Sequence, residues 1–226
     1  MAKANNTPRS GFSRLKLIGG LLLLAVTVAG AIYGPQLVGL IRFSHEFDKI
    51  AEESTRVGGK WPRASDACIA CHGINGNARA QSYARLAGQP EAYIAKQLNA
   101  FASGERSNPV MTSLAVSMSP QEIAGLANHF SKMTPLPNDT LHVESVRIAR
   151  GEALVKANNC ASCHGAKFEG KDVYPRLAGQ GYDYLREQLK RFKSGERHES
   201  SGAMAAIAAA LSAQDVDDVS QFLASR

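Results

Sequence analysis

Cys68-Ile69-Ala70-Cys71-His72 and Cys160-Ala161-Ser162-Cys163-His164 carry the same three reactive side chains at the same spacing, ninety-two positions apart. Two residues between the cysteines put both sulfurs on one turn of chain, where each reaches a vinyl group on the same edge of a porphyrin. The histidine that follows then meets the iron as its proximal ligand. Each pentapeptide is thus expected to tether and ligate a c-type haem, giving two covalently bound haems c in all. Zinc knuckles of the Cys-x-x-Cys type stand about 15–20 residues apart, and a thioredoxin-like dithiol needs a βαβ setting; neither pattern is present. All four cysteines lie in the two motifs, so none is left for a disulfide. Haem attachment of this kind implies export, to the periplasm in a bacterium.

A second axial ligand must come from the rest of the chain, and an internal repeat selects it. Tyr83-Ala84-Arg85-Leu86-Ala87-Gly88-Gln89 matches Tyr174-Pro175-Arg176-Leu177-Ala178-Gly179-Gln180. Tyr93, Gln97, Leu98 and Phe101 match Tyr184, Gln188, Leu189 and Phe192, and Ser103-Gly104-Glu105-Arg106 recurs as Ser194-Gly195-Glu196-Arg197. These are two copies of one unit. Aligning Ser119-Pro120-Gln121 with Ser212-Ala213-Gln214 puts Met111 opposite Met204 and Met118 opposite Leu211. Met111 and Met204 are therefore the expected distal ligands, Met118 a core residue, and Met133 a residue of the helix end or linker. His129 and His198 lack a histidine at the matching position, and His45 and His142 fall outside the repeated units, as surface residues. A His/Met pair raises the potential and leaves no open coordination position, which points to electron transfer rather than catalysis.

The elements that position these groups read as helices. In each copy the Tyr, Leu and Phe positions line one face of a helix closed by Gly104 or Gly195. A last helix starts at the capping boxes Ser119-Pro120-Gln121-Glu122 and Ser212-Ala213-Gln214-Asp215. Its buried faces are Ile123, Leu126, Ala127 and Phe130, and Val216, Val219 and Leu223. Val146 to Asn158 supplies an N-terminal helix to the second copy with no close match in the first. No alternating strand pattern appears, so the fold class is all-α.

Leu17 to Ile41 holds no charged residue, and as a helix it would span roughly 37 Å against a bilayer core of about 30 Å. Basic residues precede it and acidic ones follow, which places the N-terminus in the cytoplasm and the remainder outside. Ala29-Gly30-Ala31 offers the competing reading of a cleaved signal peptide, but Tyr33 to Ile41 continues the apolar character beyond it. Ser44 to Thr55 reads as a short polar helix, broken from the first motif by Gly58-Gly59 and Pro62. The expected division is 1–43, tail and transmembrane anchor; 44–134, first haem domain; 135–145, linker; 146–226, second haem domain. The net charge of +6 is concentrated before the span, since residues from Arg42 onward carry 22 basic and 20 acidic side chains. Nucleic acid is thereby excluded as a partner.

Taken together, the two Cys-x-x-Cys-His units, both Arg-Leu-Ala-Gly-Gln runs and the two methionines ahead of a Ser-capped helix resemble the dihaem cytochrome c4 family, over Asp66 to Arg226. The resemblance implies two tandem class I cytochrome c domains related by a pseudo-twofold. It also implies electron delivery from a quinol-oxidising bc-type complex to a terminal oxidase, often of the cbb3 type; the apolar span would keep such a relay at the bacterial inner membrane, with membership of a respiratory supercomplex left open. It further implies that backbone carbonyls near Ala84 and Pro175 orient the proximal imidazoles. Arg85 and Arg176 are candidates for pairing with haem propionates, the other reading being solvated surface charge. Ala84 stands where the family has proline, and the anchor departs from the family's commoner soluble form. Arg186, Lys190 and Lys193 form a basic stripe whose counterparts Ala95, Asn99 and Ala102 are uncharged, either a docking surface for an acidic partner or an ordinary solvated face. Two rival functions stay open: the electron-accepting subunit of a flavocytochrome or quinoprotein dehydrogenase, and a dihaem peroxidase-like enzyme.

Overall fold

The computed structural model describes residues 11–58 and 65–226. Helix α1 (Gly11–Gly58) stands by itself as one unit, and residues from Gly58 onward form a second, compact one. Within α1, Ile18–Arg42 is long and apolar enough to cross a membrane, and its large side chains are exposed. The polar segment Ser44 to Thr55 is helical, as expected, and continues α1 without a break. Arg42 and Phe43, at the junction, include no glycine or proline to stop it, and Pro35 sits inside the helix without ending it. The expected break at Gly58 coincides with the end of α1; Gly59 and Pro62 lie outside the described residues.

The compact unit is helical, with no strand among the described residues beyond an isolated bridge between Lys171 and Tyr174. The repeat is visible element by element. The first copy runs α2 (Asp66–His72), α3 (Glu91–Ser103), α4 (Pro109–Ala115) and α5 (Pro120–Ser131). After α6 (Ser145–Ala157) the second runs α7 (Ala161–His164), α8 (Tyr182–Ser194), α9 (Ala203–Ala210) and α10 (Ala213–Ala224). Both capping boxes form: the Ser119 and Ser212 hydroxyls accept from the Glu122 and Asp215 N–H groups, and the two carboxylates accept from the serine N–H groups in return. α3 and α8 end on left-handed glycines, Gly104 and Gly195, both at φ 78°, a conformation that costs a Cβ-bearing residue about 1–2 kcal/mol.

Each copy has its own core. Ile94 and Leu98 of α3 pack on Ile123, Leu126, Ala127 and Phe130 of α5, closed by a buried Met133. Leu185 and Leu189 of α8 pack on Val216, Val219, Phe222 and Leu223 of α10. The second core gains Val155 of α6, which crosses α10 so closely that a Cβ on Gly151 would run into the Asp218 carbonyl and the Phe222 side chain.

Candidate haem sites and the interface between the copies

Helix α2 presents Cys68, Cys71 and His72 on a single turn and a half, and Cys160 caps the shorter α7, which carries Cys163 and His164. The first cysteine of each motif packs against its core; of the second cysteines, Cys71 is half-buried and Cys163 exposed. A loop then returns over each imidazole, pinned by one carbonyl that accepts two N–H groups. In the first copy Gly76 accepts from Leu86 and Ala87, and in the second Phe168 accepts from Leu177 and Ala178. The turn needs a positive φ at both positions, 77° at Gly76 and 57° at Phe168. Glycine adopts it without strain, whereas phenylalanine is held there by its edge-on packing against Phe222.

The returned loop sets the chemistry of the histidines. His72 Nδ1 lies 2.7 Å from the Ala84 carbonyl oxygen and His164 Nδ1 lies 2.9 Å from that of Pro175. A carbonyl only accepts, so each Nδ1 carries the proton and each Nε2 keeps its lone pair for a metal. Burial depresses the pKa of both imidazoles, partly offset by these hydrogen bonds, which favours the neutral form that ligates. Ala84 supplies the same acceptor as Pro175, so the absence of proline leaves the contact intact. Tyr83 and Tyr174 stand edge-on to the two rings, with centroids 6.5 and 6.3 Å away.

Met111 sits in the first turn of α4, its N–H donating to the Asn108 cap at 3.0 Å. Met204 occupies the matching turn of α9, and its N–H donates to Glu199 at 3.0 Å. Different caps thus hold the same residue at the same helix start. Both methionines are half-buried against their copy's core, as is Met118. Leu211, opposite Met118, is buried. Met133, assigned above to the helix end, does follow α5 but is a core residue. His45 and His142 are exposed.

The arginines overturn the solvated-surface reading: Arg85 is 4% exposed and Arg176 6%. They lie where the copies meet, within a reciprocal exchange. The Gln180 side chain accepts from Arg85 N–H at 2.5 Å and donates to Arg85 O at 3.0 Å; Gln89 accepts from Arg176 N–H at 2.9 Å and donates to Arg176 O at 2.8 Å. Beside it a second symmetric cluster forms. Arg106 donates to Gln97, Tyr184 and Gln188, and Arg197 donates to Gln188, Tyr93 and Gln97. Two guanidinium groups hold the Tyr184 hydroxyl down to about 8 against the pull of burial. These glutamines, tyrosines and arginines had been legible only as markers of the repeat. Their signal was polar residues recurring in both copies on helix faces that have no need of them for solubility.

The Arg85 and Arg176 guanidinium groups bond only to uncharged oxygens, and among the described residues neither forms an ion pair. Burial and the neighbouring Arg85 bring Arg176 down to about 10. Arg85 Nε and Arg176 Nη2 are buried without a partner. Two buried cations with unsatisfied donors fit the carboxylates of haem propionates, which would supply both the acceptors and the countercharge. The basic stripe on α8, by contrast, is partly engaged: Arg186 pairs with Asp183 and Asp217, and Lys193 donates to the Leu211 carbonyl, while Lys190 and Lys193 are both exposed.

Comparison with known proteins agrees with this geometry. The family described as Cytochrome c matches residues 148–226. A thiosulfate dehydrogenase electron acceptor from Thiomonas intermedia is 35% identical over 73% of this chain and 81% of its own. Cytochrome c4 from Thiocapsa roseopersicina is 34% identical over 71% and 88%. Among solved structures, reduced cytochrome c4 from Pseudomonas stutzeri superposes with a TM-score of 0.66 at 28% identity, over 71% of this chain and 94% of that one. A thiosulfate dehydrogenase from Marichromatium purpuratum gives 0.66 at 31% identity, over 77% of this chain and 40% of that one. The paired motifs, the carbonyl-held imidazoles and a similarity that covers 71% of this chain lead to one conclusion: the chain belongs to the dihaem cytochrome c4 family, electron carriers with covalently attached haem c.

Proposed function

We propose that the chain holds one haem in each copy and passes single electrons between partners at the outer face of a membrane to which α1 anchors it. Cys68 and Cys71 tether the first haem, with His72 and Met111 as axial ligands; Cys160 and Cys163 tether the second, with His164 and Met204. The first domain follows α1 in the chain and runs to 134; the second runs from 146 to 226, joined to it by 135–145. When bound, haem c supplies a one-electron couple with saturated coordination. The residues around it fix the imidazole tautomer, hold the thioether at a helix start and neutralise carboxylates at the interface. The observation that carries this reading is the reciprocal Arg/Gln exchange, which brings the two arginine forks together and, through Ala84 and Pro175, both proximal loops.

The route from a bc-type complex to a terminal oxidase of the cbb3 type, at the bacterial inner membrane with the haem domains in the periplasm, is one assignment of partners. Relatives bearing the name thiosulfate dehydrogenase electron acceptor favour a second, in which the donor is a periplasmic dehydrogenase. Haem-stained native electrophoresis of membranes solubilised in mild detergent, with mass spectrometry of the band, separates them. Comigration with oxidase or bc-type subunits supports the respiratory relay; a dehydrogenase chain in the band supports the second. A haem content below two per chain would refute the shared premise.

A further inference from the structure

Arg85 and Arg176 are equivalent in the repeat and unequal in their contacts. The Nη2 of Arg85 is saturated by Asn77 Oδ1 at 3.3 Å and by the Leu136 and Pro137 carbonyls at 2.8 and 3.3 Å. Its unpartnered atom is Nε, back on the stem of the side chain. Arg176 commits its stem instead, Nε donating to the Ala87 carbonyl at 3.1 Å and Nη1 to that of Ala178. Its unpartnered atom is Nη2, at the tip of the fork.

The difference has a local cause. Residues 135–137 lie over Arg85, fastened by a hydrogen bond from Leu136 N–H to Asn77 Oδ1 at 2.9 Å. The shared turn places Glu169 where Asn77 stands. Glu169 turns its carboxylate toward the Lys167 N–H at 2.8 Å and stays exposed. No pair of carbonyls covers the tip of Arg176 among the described residues.

We infer that Arg176, and not Arg85, presents a free fork N–H to a propionate of the haem tethered by Cys160 and Cys163, and as a positioning residue raises the potential of that haem selectively. The inference rests on the reading of one haem per copy. A guanidinium that hydrogen-bonds a propionate keeps a positive charge close to the iron in a water-poor interface, where it counts for more than at the surface. Such a charge opposes the extra positive charge of the ferric state, so the ferrous state is favoured. Arg85 lends the same field only from its stem, with its fork tied to the linker.

The test uses the full chain in mild detergent. Haem content is measured first, then both one-electron midpoints by spectroelectrochemical titration, with Met204→His identifying the second haem by the displacement of its wave. Arg176→Gln is expected to lower the second haem about tenfold in its redox equilibrium constant, ~59 mV for a one-electron couple, with a much smaller movement of the first. Arg176→Lys keeps the charge without the fork and is expected to give a partial lowering confined to the same haem, which decides the matter should the glutamine variant not fold. Arg85→Gln is expected to spare the second haem. Equal shifts of both haems, no shift with either Arg176 variant, or an Arg85→Gln effect on the second haem as large as that of Arg176→Gln would overturn the inference. Fewer than two haems per chain in the unmodified protein would instead refute the proposed function.

Discussion

Gln180→Leu tests how the two copies are held together. The side chain accepts from the Arg85 and Gly181 N–H groups at 2.5 and 3.0 Å and donates to the Arg85 carbonyl at 3.0 Å. Leucine fills a similar volume and replaces none of these bonds. It leaves two buried N–H donors without partners, at about 1–3 kcal/mol each. The Arg85 carbonyl keeps a weaker bond from Gln89 at 3.4 Å, so its loss adds little. Gln89→Leu strands one buried N–H, that of Arg176, together with the Arg176 carbonyl. Gln180→Leu and Gln89→Leu thus each strand two buried backbone groups and are expected to cost similar amounts, about 2–6 kcal/mol. Because both glutamines touch the Arg85 carbonyl, the double variant is expected to deviate from additivity by about 0.5 kcal/mol or more. Urea titration of the full chain in detergent, followed at the Soret band, measures each value. Loss of the interface should also separate the unfolding of the two haem signals. A cost below about 0.5 kcal/mol for Gln180→Leu, the ordinary range for surface positions, would refute the idea that this exchange joins the copies.

Met111→Leu and Met204→Leu are each expected to lower the potential of one iron by removing a thioether, whereas Met118→Leu leaves both unchanged; redox titration of the three variants decides. Gly151→Ala, which drives a methyl group into the Asp218 carbonyl and Phe222, should destabilise the second copy by about 1–3 kcal/mol and spare the first, as read from denaturation followed at each haem. The Glu122 and Asp215 carboxylates sit below their ordinary pKa values because they accept hydrogen bonds from the capping serines. A depressed folded-state pKa gives stability that is present above the unfolded value and lost as pH falls through the folded one. The caps should thus weaken in acid below the ordinary values of 4.5 and 3.8. Ser119→Ala and Ser212→Ala should flatten that part of the pH–stability profile.

The two Cys-x-x-Cys-His pentapeptides, the capping boxes and the glycine helix stops could be read from the chain because each depends on residues close in sequence. A Cys-x-x-Cys-His motif needs one turn of backbone, and a capping box needs four residues. Duplication then selected Met111 and Met204 without any knowledge of the fold. That the polar helix over Ser44 to Thr55 continues α1 was not legible, because polarity changes there while helix geometry does not. The basic stripe on α8 stayed open between two readings, since Asp217, which pairs with Arg186, comes from a helix thirty-one positions away.

What the amino-acid sequence alone determined about this protein is its cofactor chemistry, its helical class and its two-copy plan. The tertiary structure decided the fate of the polar residues that both copies share. Whether Arg85 and Arg176 meet water or each other depends on how two separately folded cores approach, and no local spacing encodes that approach. The inequality of their forks depends on a linker that covers one copy and not the other, a property of the folded assembly rather than of either repeat.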